Sequence, residues 1–538
     1  MSRSEIMADL PRSWDIVVVG GGMTGAGVFR EAARAGYRTL LLEQRDFSWG
    51  TSSRSGKLVH GGLRYLSQGQ IRTTWHSVRE RERLLHRYPG LVEELTFAIP
   101  VYDRLTGIAL QAGLTLYDSM ALHWSHRAYG TTEFLRKIPN LNDKNLRGGL
   151  AFRDARTDDA RLVFRVIREG ERYGGTAINY MRVNELLRNN RGIVCGVTVE
   201  DALTKQTVEV STRAVVNATG VWADKLRHQF GEKPKLRKLR GSHLLLPFHR
   251  LPLEQAISFN HPSDHRPLYA MPWQGKILVG TTDMDHEFSL SEEPKMSQEE
   301  GHYLLTGLNT CFPTLHITAR DIRSCFAGVR PVLNTGKSNP SKESRDIVLW
   351  SQQGLVTVTG GKLTTFPLLA RKALQETVKW LGGPHNARNP QKDITPQETK
   401  SQSYPGFPLQ GAEAHKKMIS SGEKSRWLLA TLTQRYGEDA PNLLPLVENS
   451  EWKKVPGTEV FWAELVWSAL TEQIVHLEDL LLRRTRLGLL LPEGGIEILP
   501  ELQKRISMVL GWHEPQWEEE KVKYLALWNQ AYSPRLLQ

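Results

Sequence analysis

The chain has 538 residues, 40% hydrophobic and 24% charged, with a formal net charge of +12 and a pI near 9.5. That length exceeds what one core sustains, so two or more domains of ordinary globular composition are expected. The positive balance suits an anionic small molecule, an anionic membrane surface or nucleic acid, and nucleic acid is set aside because no zinc-finger spacing, RNP-type aromatic motif or basic heptad region occurs.

In chain order, residues 16–19 are a β-branched run bounded by glycine, the pattern of a buried parallel strand. Gly20-x-Gly22-x-x-Gly25 follows and opens a helix carrying Ala26, Ala32 and Ala33, with Gly36 as its stop. The first glycine allows the tight turn, the second lets a pyrophosphate approach the backbone, and the third lets helix and strand pack closely. A helix starting there aims free N–H groups and its positive dipole end at that pyrophosphate. A second strand at 39–42 ends in Glu43, whose carboxylate can accept the two ribose hydroxyls of an adenosine and would repel a 2′-phosphate. Strand, glycines, helix, strand and acid in this order predict a Rossmann-like α/β unit that binds a dinucleotide other than NADP.

Thr51-Ser52-Ser53 leads into a glycine-broken segment with Lys57, His60-Gly61-Gly62, Arg64 and Tyr65. Residues 74–86 read as a helix whose Arg/Glu run is a solvated face. A helix with an acidic first turn starts at Asp158-Asp159 and ends at Gly174-Gly175. Strands are expected at 177–181, 192–200 and 207–211. The segment 215–220, containing Ala218-Thr219-Gly220, reads as the returning strand of a doubly wound sheet, followed by a helix at 222–230. The basic stretch 233–240 (KPKLRKLR) reads as a solvated loop. Gly241-Ser242-His243 opens a strand at 244–247, with others at 268–272 and 277–281. Gly328-Val329-Arg330-Pro331 and Ser344-Arg345-Asp346 flank a Gly/Ser/Asn/Lys loop, and a strand at 356–359 runs into Gly360-Gly361-Lys362-Leu363-Thr364-Thr365. A helix over 366–381 follows, with Pro367 in its first turn.

Pro, Gly, Ser, Asn and Gln then dominate, which divides the chain into a first unit at 1–384, a linker at 385–410 and a helical unit at 411–538. Helical spacing of apolar residues marks 461–470, 475–482 and 502–509. Arg483, Arg484 and Arg486 lie beside leucines at 480–482 and 487–491, a pattern that fits either a basic-apolar surface for lipid or a core helix with a polar edge. Cys195, Cys311 and Cys325 include no CxxC pair, which argues against a disulfide framework and for a reducing, cytoplasmic compartment. The first fourteen residues carry charges at Arg3, Glu5, Asp9 and Arg12, so no signal peptide is expected. No apolar run reaches the roughly 18 residues that span a bilayer.

Seven separated motifs, KLVHGGLRYL, DDARL, VNATGVWAD, GSHLLLP, MPW with VGTTD, GVRP and GGKLTTF, resemble the FAD-dependent (aerobic, quinone-linked) glycerol-3-phosphate dehydrogenases. LEDLLLRRTRLGLLL is similar to the C-terminal domain of that family, so the resemblance covers nearly the whole chain. It implies a Rossmann-like FAD-binding domain interleaved with a mixed-sheet substrate domain, then a C-terminal helical domain. It also implies oxidation of sn-glycerol 3-phosphate to dihydroxyacetone phosphate, with hydride passing to FAD N5 and electrons to a quinone at the inner face of the cytoplasmic membrane. Arg330, Arg64 and Tyr65 would surround the substrate phosphate, and His243, Arg345 and Lys362 would face the flavin and the carbinol. Cofactor contacts would come from Gly20, Gly22, Gly25, Glu43, Ser52, Ser53, Lys57, Gly61, Gly62, Ala218, Thr219, Gly220, Gly361, Lys362, Leu363 and Thr364. No metal is implied. Two departures stand out: where TSSASSKLIHGG is familiar this chain has TSSRSGKLVHGG, so Arg54 and Gly56 replace small or hydroxyl residues and a hydroxyl near the flavin is lost.

The residues themselves support this chemistry. Oxidising a secondary alcohol needs a base for the hydroxyl proton, and an imidazole titrating near pH 6.5 suits that task. Arg345 or Lys362 would stabilise the developing alkoxide as a fixed positive charge. The Gly360-Gly361 turn would bring the N-terminus of the following helix, and Lys362, to the flavin edge that becomes negative on reduction. Arg330 is held extended by the following proline and offers a bidentate fork for phosphate. Only one dinucleotide fingerprint is visible, so electrons leave to quinone or to O2. An oxidase, an FAD enzyme for another phosphorylated or hydroxy-acid substrate, and a binding protein without turnover are the alternatives. A homodimer is left open.

Overall fold

The computed structural model describes residues 3–67, 69–336, 347–381, 423–449 and 453–537. Arg345, most of the loop before it, the expected linker and the entry to the helical unit lie outside the described residues. The strands in the first half of the chain are β1 (Trp14–Val19), β2 (Thr39–Leu42), β3 (Val92–Val101), β4 (Arg127–Tyr129), β5 (Gly148–Thr157), β6 (Thr176–Ile178), β7 (Met181–Arg188), β8 (Val194–Asp201) and β9 (Thr207–Asn217). Those that follow are β10 (Leu236–Pro247), β11 (Ala256–Asn260), β12 (Pro267–Trp273), β13 (Lys276–Gly280), β14 (Met284–Asp285), β15 (Ser324–Leu333), β16 (Ile347–Gln352) and β17 (Leu355–Gly360).

They form two sheets to which the chain alternately contributes. The first runs β16-β17-β9-β1-β2-β6, with β8 and β7 added to the edge of β9. β1 is its centre, parallel to both β2 and β9, which is why Ile16, Val17 and Val18 are buried on both faces. The helices Met23–Arg34, Asp159–Arg172 and Phe366–Leu381 supply the apolar cover of one face. β9 joins the two stretches expected as separate strands, 207–211 and 215–217, into one. The second sheet runs β14-β10-β13-β12-β11-β3-β5-β4, with β15 on the other edge of β10.

Two solvated readings are corrected by burial. The stretch 233–240 enters β10 at Leu236, and Arg240 is buried because Glu300, at the start of the helix Gln298–Cys311, takes its guanidinium at 2.9 Å. The helix expected at 74–86 is Ile71–Arg87, and its Arg/Glu run is largely enclosed: Arg81 donates to Tyr117 Oη at 2.9 Å and to Asp154 at 3.1 Å, while Glu80 receives Arg371 at 2.7 Å.

The C-terminal part is helical, with Glu423–Tyr436, Ala440–Asn449, Trp462–Thr471, Leu499–Leu510 and Glu514–Ala531 as its main helices. The region 475–482 is not a regular helix but leads into a wide π-type turn at Asp479–Arg484. Leu480–482, Trp517, Tyr524 and Trp528 share one core with Leu245, Leu278 and Phe326 of the second sheet.

Arg483, Arg484 and Arg486 are almost wholly buried, which overturns the lipid-surface reading for them. Acids from the first half of the chain hold them there. Asp46 pairs with both Arg483 and Arg484, and Arg484 Nη2 lies 2.8 Å from Asp46 Oδ1. Arg486 binds Asp158 at 3.0 Å and also Asp159, whose other partner is Lys57 Nζ at 2.8 Å. Burial by itself would raise the Asp46 carboxyl, but the Arg484 and Arg483 guanidiniums bring it below the usual range. Each buried ion forfeits several kcal/mol of hydration, so the cluster holds only while every member is paired. Asp46→Ala, which strands two buried guanidiniums, is expected to cost about 3–5 kcal/mol of stability, read as a lowered denaturant midpoint; a midpoint equal to wild type would refute the role given to Asp46.

Candidate active site

One elongated cleft lies where the two sheets meet, and the carboxyl ends of β1, β9 and β17 open into it. At its nucleotide end are Gly20, Gly22, Thr24, Glu43, Ser52, Ala218, Thr219 and Gly220. The helix Met23–Arg34 starts at Gly22 with no side-chain cap, so N–H groups of its first turn remain for a ligand. One of them, Met23 N–H, is taken by Ser52 Oγ at 2.9 Å. A Cβ at Gly25 would lie 1.8 Å from Gly20 O, so that position packs helix on strand and does not itself line the cleft. Glu43 accepts the N–H groups of Gly21 at 2.6 Å and Arg45 at 2.9 Å, leaving lone pairs for two hydroxyl donors. Burial pushes its carboxyl up to about 6, against the pull of those two N–H groups. Trp49 and Trp222, ring centroids 6.1 Å apart, add an aromatic wall that the sequence did not single out. An uncapped helix start, an acid with free lone pairs and an aromatic wall fit an FAD.

The reaction end is built by strand register. His243, Gly280 and Tyr269 stand side by side on β10, β13 and β12. Gly280 is the gap between the two rings, since a Cβ there would lie 2.2 Å from His243 Cδ2. Across it His243 Nε2 and Tyr269 Oη are 3.1 Å apart, and Tyr269 Oη donates to Gly56 O at 3.0 Å. A hydroxyl has one proton, so this network assigns the imidazole proton to Nε2 and leaves Nδ1 as a bare lone pair. His243 Nδ1 is buried and has no hydrogen-bond partner in the protein. Burial, then the charges of Lys57, Arg330 and Arg266, hold this histidine well below its ordinary range. It is therefore neutral at physiological pH and able to accept a proton.

Beside it, Arg330 on β15 crosses β10 over Gly241, where a Cβ would lie 2.1 Å from its guanidinium. Arg330 donates to Thr282 O at 2.9 Å and lies 3.4 Å from Asp283, which also receives Arg266 at 3.3 Å. The GSH, VGTTD and GVRP motifs are thus one unit: the first gives room to the arginine of the third, and the second holds its fork. One carboxylate between two guanidiniums leaves a net positive charge, which suits an anion.

Gly361, Lys362 and Leu363 line the cleft from the other side. Lys362 Nζ donates to Ser77 Oγ at 2.8 Å and sits 3.7 Å from the centre of the Tyr65 ring. Thr364 Oγ1 donates to His60 O at 3.0 Å, fastening the GGKLTT turn to the HGGLRY segment without lining the cleft itself. Gly61 and Gly62 stand behind that wall, Gly61 N–H on Asp154 at 2.9 Å and Gly62 against Tyr65. The side chain of Arg64 and all of Arg345 lie outside the described residues.

Two expected cofactor residues are placed elsewhere. Lys57 is fully buried on Asp159 and Ser53 O, because its ammonium completes the ion cluster, and Ser53 O also receives Arg486. Neither lines the cleft. Of the two departures, Arg54 is buried against Glu293 and Tyr532 and lies over Trp49, so it ties the cleft loop to the C-terminal helices. At Gly56 a Cβ would lie 2.1 Å from Tyr269 Oη. The tyrosine hydroxyl therefore occupies the place a side chain at 56 would need, and returns a hydroxyl to the site. Tyr269 and Ser77 escaped the sequence reading because only register and burial reveal them; the alternation of β12 was the available signal.

Comparison with known proteins agrees with this geometry. The model of the FAD dependent oxidoreductase family matches residues 15–373, and that of the C-terminal domain of alpha-glycerophosphate oxidase matches 405–517. The aerobic glycerol-3-phosphate dehydrogenase of Bacillus subtilis (strain 168) is 34% identical over 507 residues, covering 90% of this chain and 89% of that protein. The glycerol-3-phosphate dehydrogenase of Bacillus halodurans, solved with FAD, superposes with a TM-score of 0.75 at 26% identity, covering 99% of this chain and 97% of the other. The L-alpha-glycerophosphate oxidase of Mycoplasma pneumoniae, also with FAD, shares the fold at TM-score 0.57 and 16% identity, over 70% of this chain and 97% of its own.

Gly56→Ser is expected to slow flavin reduction about tenfold or more through overpacking against Tyr269, and Tyr269→Phe in the same chain to restore most of it; additive losses in the double variant would separate the two positions. The low pKa of His243 sets a second expectation. Because its protonated form is disfavoured, the rate of flavin bleaching by substrate should stay flat as pH falls from 8 to about 6.5, the ordinary imidazole value. Stopped-flow rates that halve near pH 6.5 would remove His243 as proton acceptor.

Proposed function

The chain belongs to the FAD-dependent oxidoreductase family, with the aerobic glycerol-3-phosphate dehydrogenases among its relatives, and we propose that it oxidises sn-glycerol 3-phosphate to dihydroxyacetone phosphate and passes the electrons to a quinone at the inner face of the cytoplasmic membrane. The observation that carries this reading is the unbroken cleft joining the glycine-rich turn to His243, Arg330 and Lys362. FAD, when bound, supplies a two-electron acceptor for the carbinol C–H bond. The chain's own groups do the rest. Arg330, steadied by Thr282 O and Asp283, grips the phosphate and fixes the carbinol in the cleft. His243 Nδ1 accepts the hydroxyl proton. A phosphate dianion beside Arg330 offsets one of the cations that depress His243, so the base strengthens when substrate is present. Lys362 stays as a fixed positive charge that favours electron arrival, held in place by Ser77 and the face of Tyr65.

The quinone is supported by the single dinucleotide fingerprint, which leaves no second site for a nicotinamide partner. Anaerobic titration of the yellow protein with sn-glycerol 3-phosphate should bleach the flavin, and a soluble quinone should restore the colour faster than air. No bleaching would reject the substrate, and faster recovery in air would replace the dehydrogenase with an oxidase. Arg330→Ala should raise KM about 10–100-fold with FAD content unchanged, the size of a lost charge-assisted pair. Lys362→Met should lower the flavin potential and slow bleaching. Wild-type kinetics in either variant would remove that residue from the mechanism.

A further inference from the structure

The helix Arg104–Ala121 is built unlike any other surface helix of the described chain. No charged residue occurs from Leu105 to Tyr117, yet most of that stretch faces outward. Leu105 is 80% exposed, Ile108 58%, Leu122 79% and Trp124 68%, and Leu116 and Tyr102 are exposed as well. Its inner contact is narrow, made by Leu114 and by Tyr117, whose hydroxyl receives Arg81. The adjoining helix Ile71–Arg87 adds exposed Ile71 and Trp75, the latter under the Arg79 guanidinium at 5.4 Å. A contiguous apolar surface of this kind marks an interaction site. The helix is not one that crosses a membrane, since no described helix is long and apolar enough.

We infer that this face lies in the headgroup layer of an anionic lipid bilayer. Exposed cations surround it: Arg104 and Arg147 at one end, Arg127 at the other, and Arg136, Lys137 and Lys144 from the segment that follows. Arg147 N–H bonds to Val101 O, and Asp118 near the helix end pairs with His126, so both ends of the helix are fastened to this basic segment. Three exposed acids, Asp103, Glu133 and Asp143, oppose six cations. A second copy of the chain docked through this face would set those cations against each other, whereas lipid phosphates neutralise them. Trp75, Trp124 and Tyr102 have the amphipathic rings that settle at the boundary between headgroups and acyl chains.

The position of the helix gives the surface its purpose. Tyr117 Oη sits against Gly61, next to the segment carrying Tyr65, and Ser77 of the adjoining helix holds Lys362. A bilayer on this face borders the flavin end of the cleft, and an acceptor dissolved in lipid reaches it without crossing water. The inference rests on the quinone reading for what is delivered there, while the surface itself stands on exposure and charge.

The FAD-loaded protein should sediment with phosphatidylglycerol vesicles and much less with phosphatidylcholine vesicles. Leu105→Glu with Leu122→Glu should weaken that partition roughly tenfold or more, with turnover toward a soluble acceptor unchanged. Arg104→Glu with Arg127→Glu should abolish the salt-sensitive part of binding. Wild-type protein that stays in the supernatant, or a double glutamate variant that binds like wild type, would overturn the inference. Conversion of a dimer to a monomer by the glutamate pair, with vesicle binding intact, would overturn it in favour of a second copy. A protein that binds vesicles but is not bleached by sn-glycerol 3-phosphate would instead defeat the substrate reading and leave the lipid surface standing.

Discussion

The pairing of Asp46 and Asp159 with the guanidiniums of Arg483, Arg484 and Arg486 is the constraint on which the site depends. Ions taken out of water are tolerated only when each finds its counter-charge, so the cluster admits little deviation in position. The segment between the two aspartate groups' partners, from Trp49 to Leu58, forms much of the cleft wall. It is held from below by Lys57 on Asp159 and by Arg486 on Ser53 O, and from the side by Arg54 on Glu293 and Tyr532. The C-terminal helices are therefore structural partners of the cofactor site even though they contribute none of the residues lining it.

With that wall fixed, the second sheet supplies the reacting groups through register alone. β10 lies between β13 and β15, so His243 has Gly280 on one side and Phe326 on the other, its ring stacked on Phe326 at 4.9 Å. Gly241 and Gly280 are small for the same reason: a neighbouring cationic or imidazole side chain crosses each of them. The result is a neutral histidine with one free nitrogen beside a cationic group, a pairing that favours proton transfer from a bound phosphorylated alcohol.

What the sequence disclosed follows from how local each signal is. β1, β2 and the helix Phe366–Leu381 were legible because glycine spacing, β-branching and a proline at the helix start act within a few residues. The basic stretch entering β10 was misread because the acid that buries Arg240 lies sixty residues further on, in another element. Arg483 and Arg484 were ambiguous for the same reason on a larger scale, since a leucine-arginine run looks identical whether its counter-ions are lipid phosphates or an aspartate near the other end of the chain. Tyr269 became visible only when three strands were aligned, and Gly56, read as a lost hydroxyl, proved to be the vacancy that Tyr269 fills.

Asp46 and Arg483 are 437 residues apart. A ribosome delivers the glycine-rich turn and the loop beyond it early, and the arginines that neutralise that loop almost last. Until they emerge, the loop carries an uncompensated cluster of acids and has no reason to collapse. Cofactor capture is thereby deferred to the end of translation, and a chain that stops short of its final helices is left with the fingerprint for FAD but without the foundation that shapes its pocket.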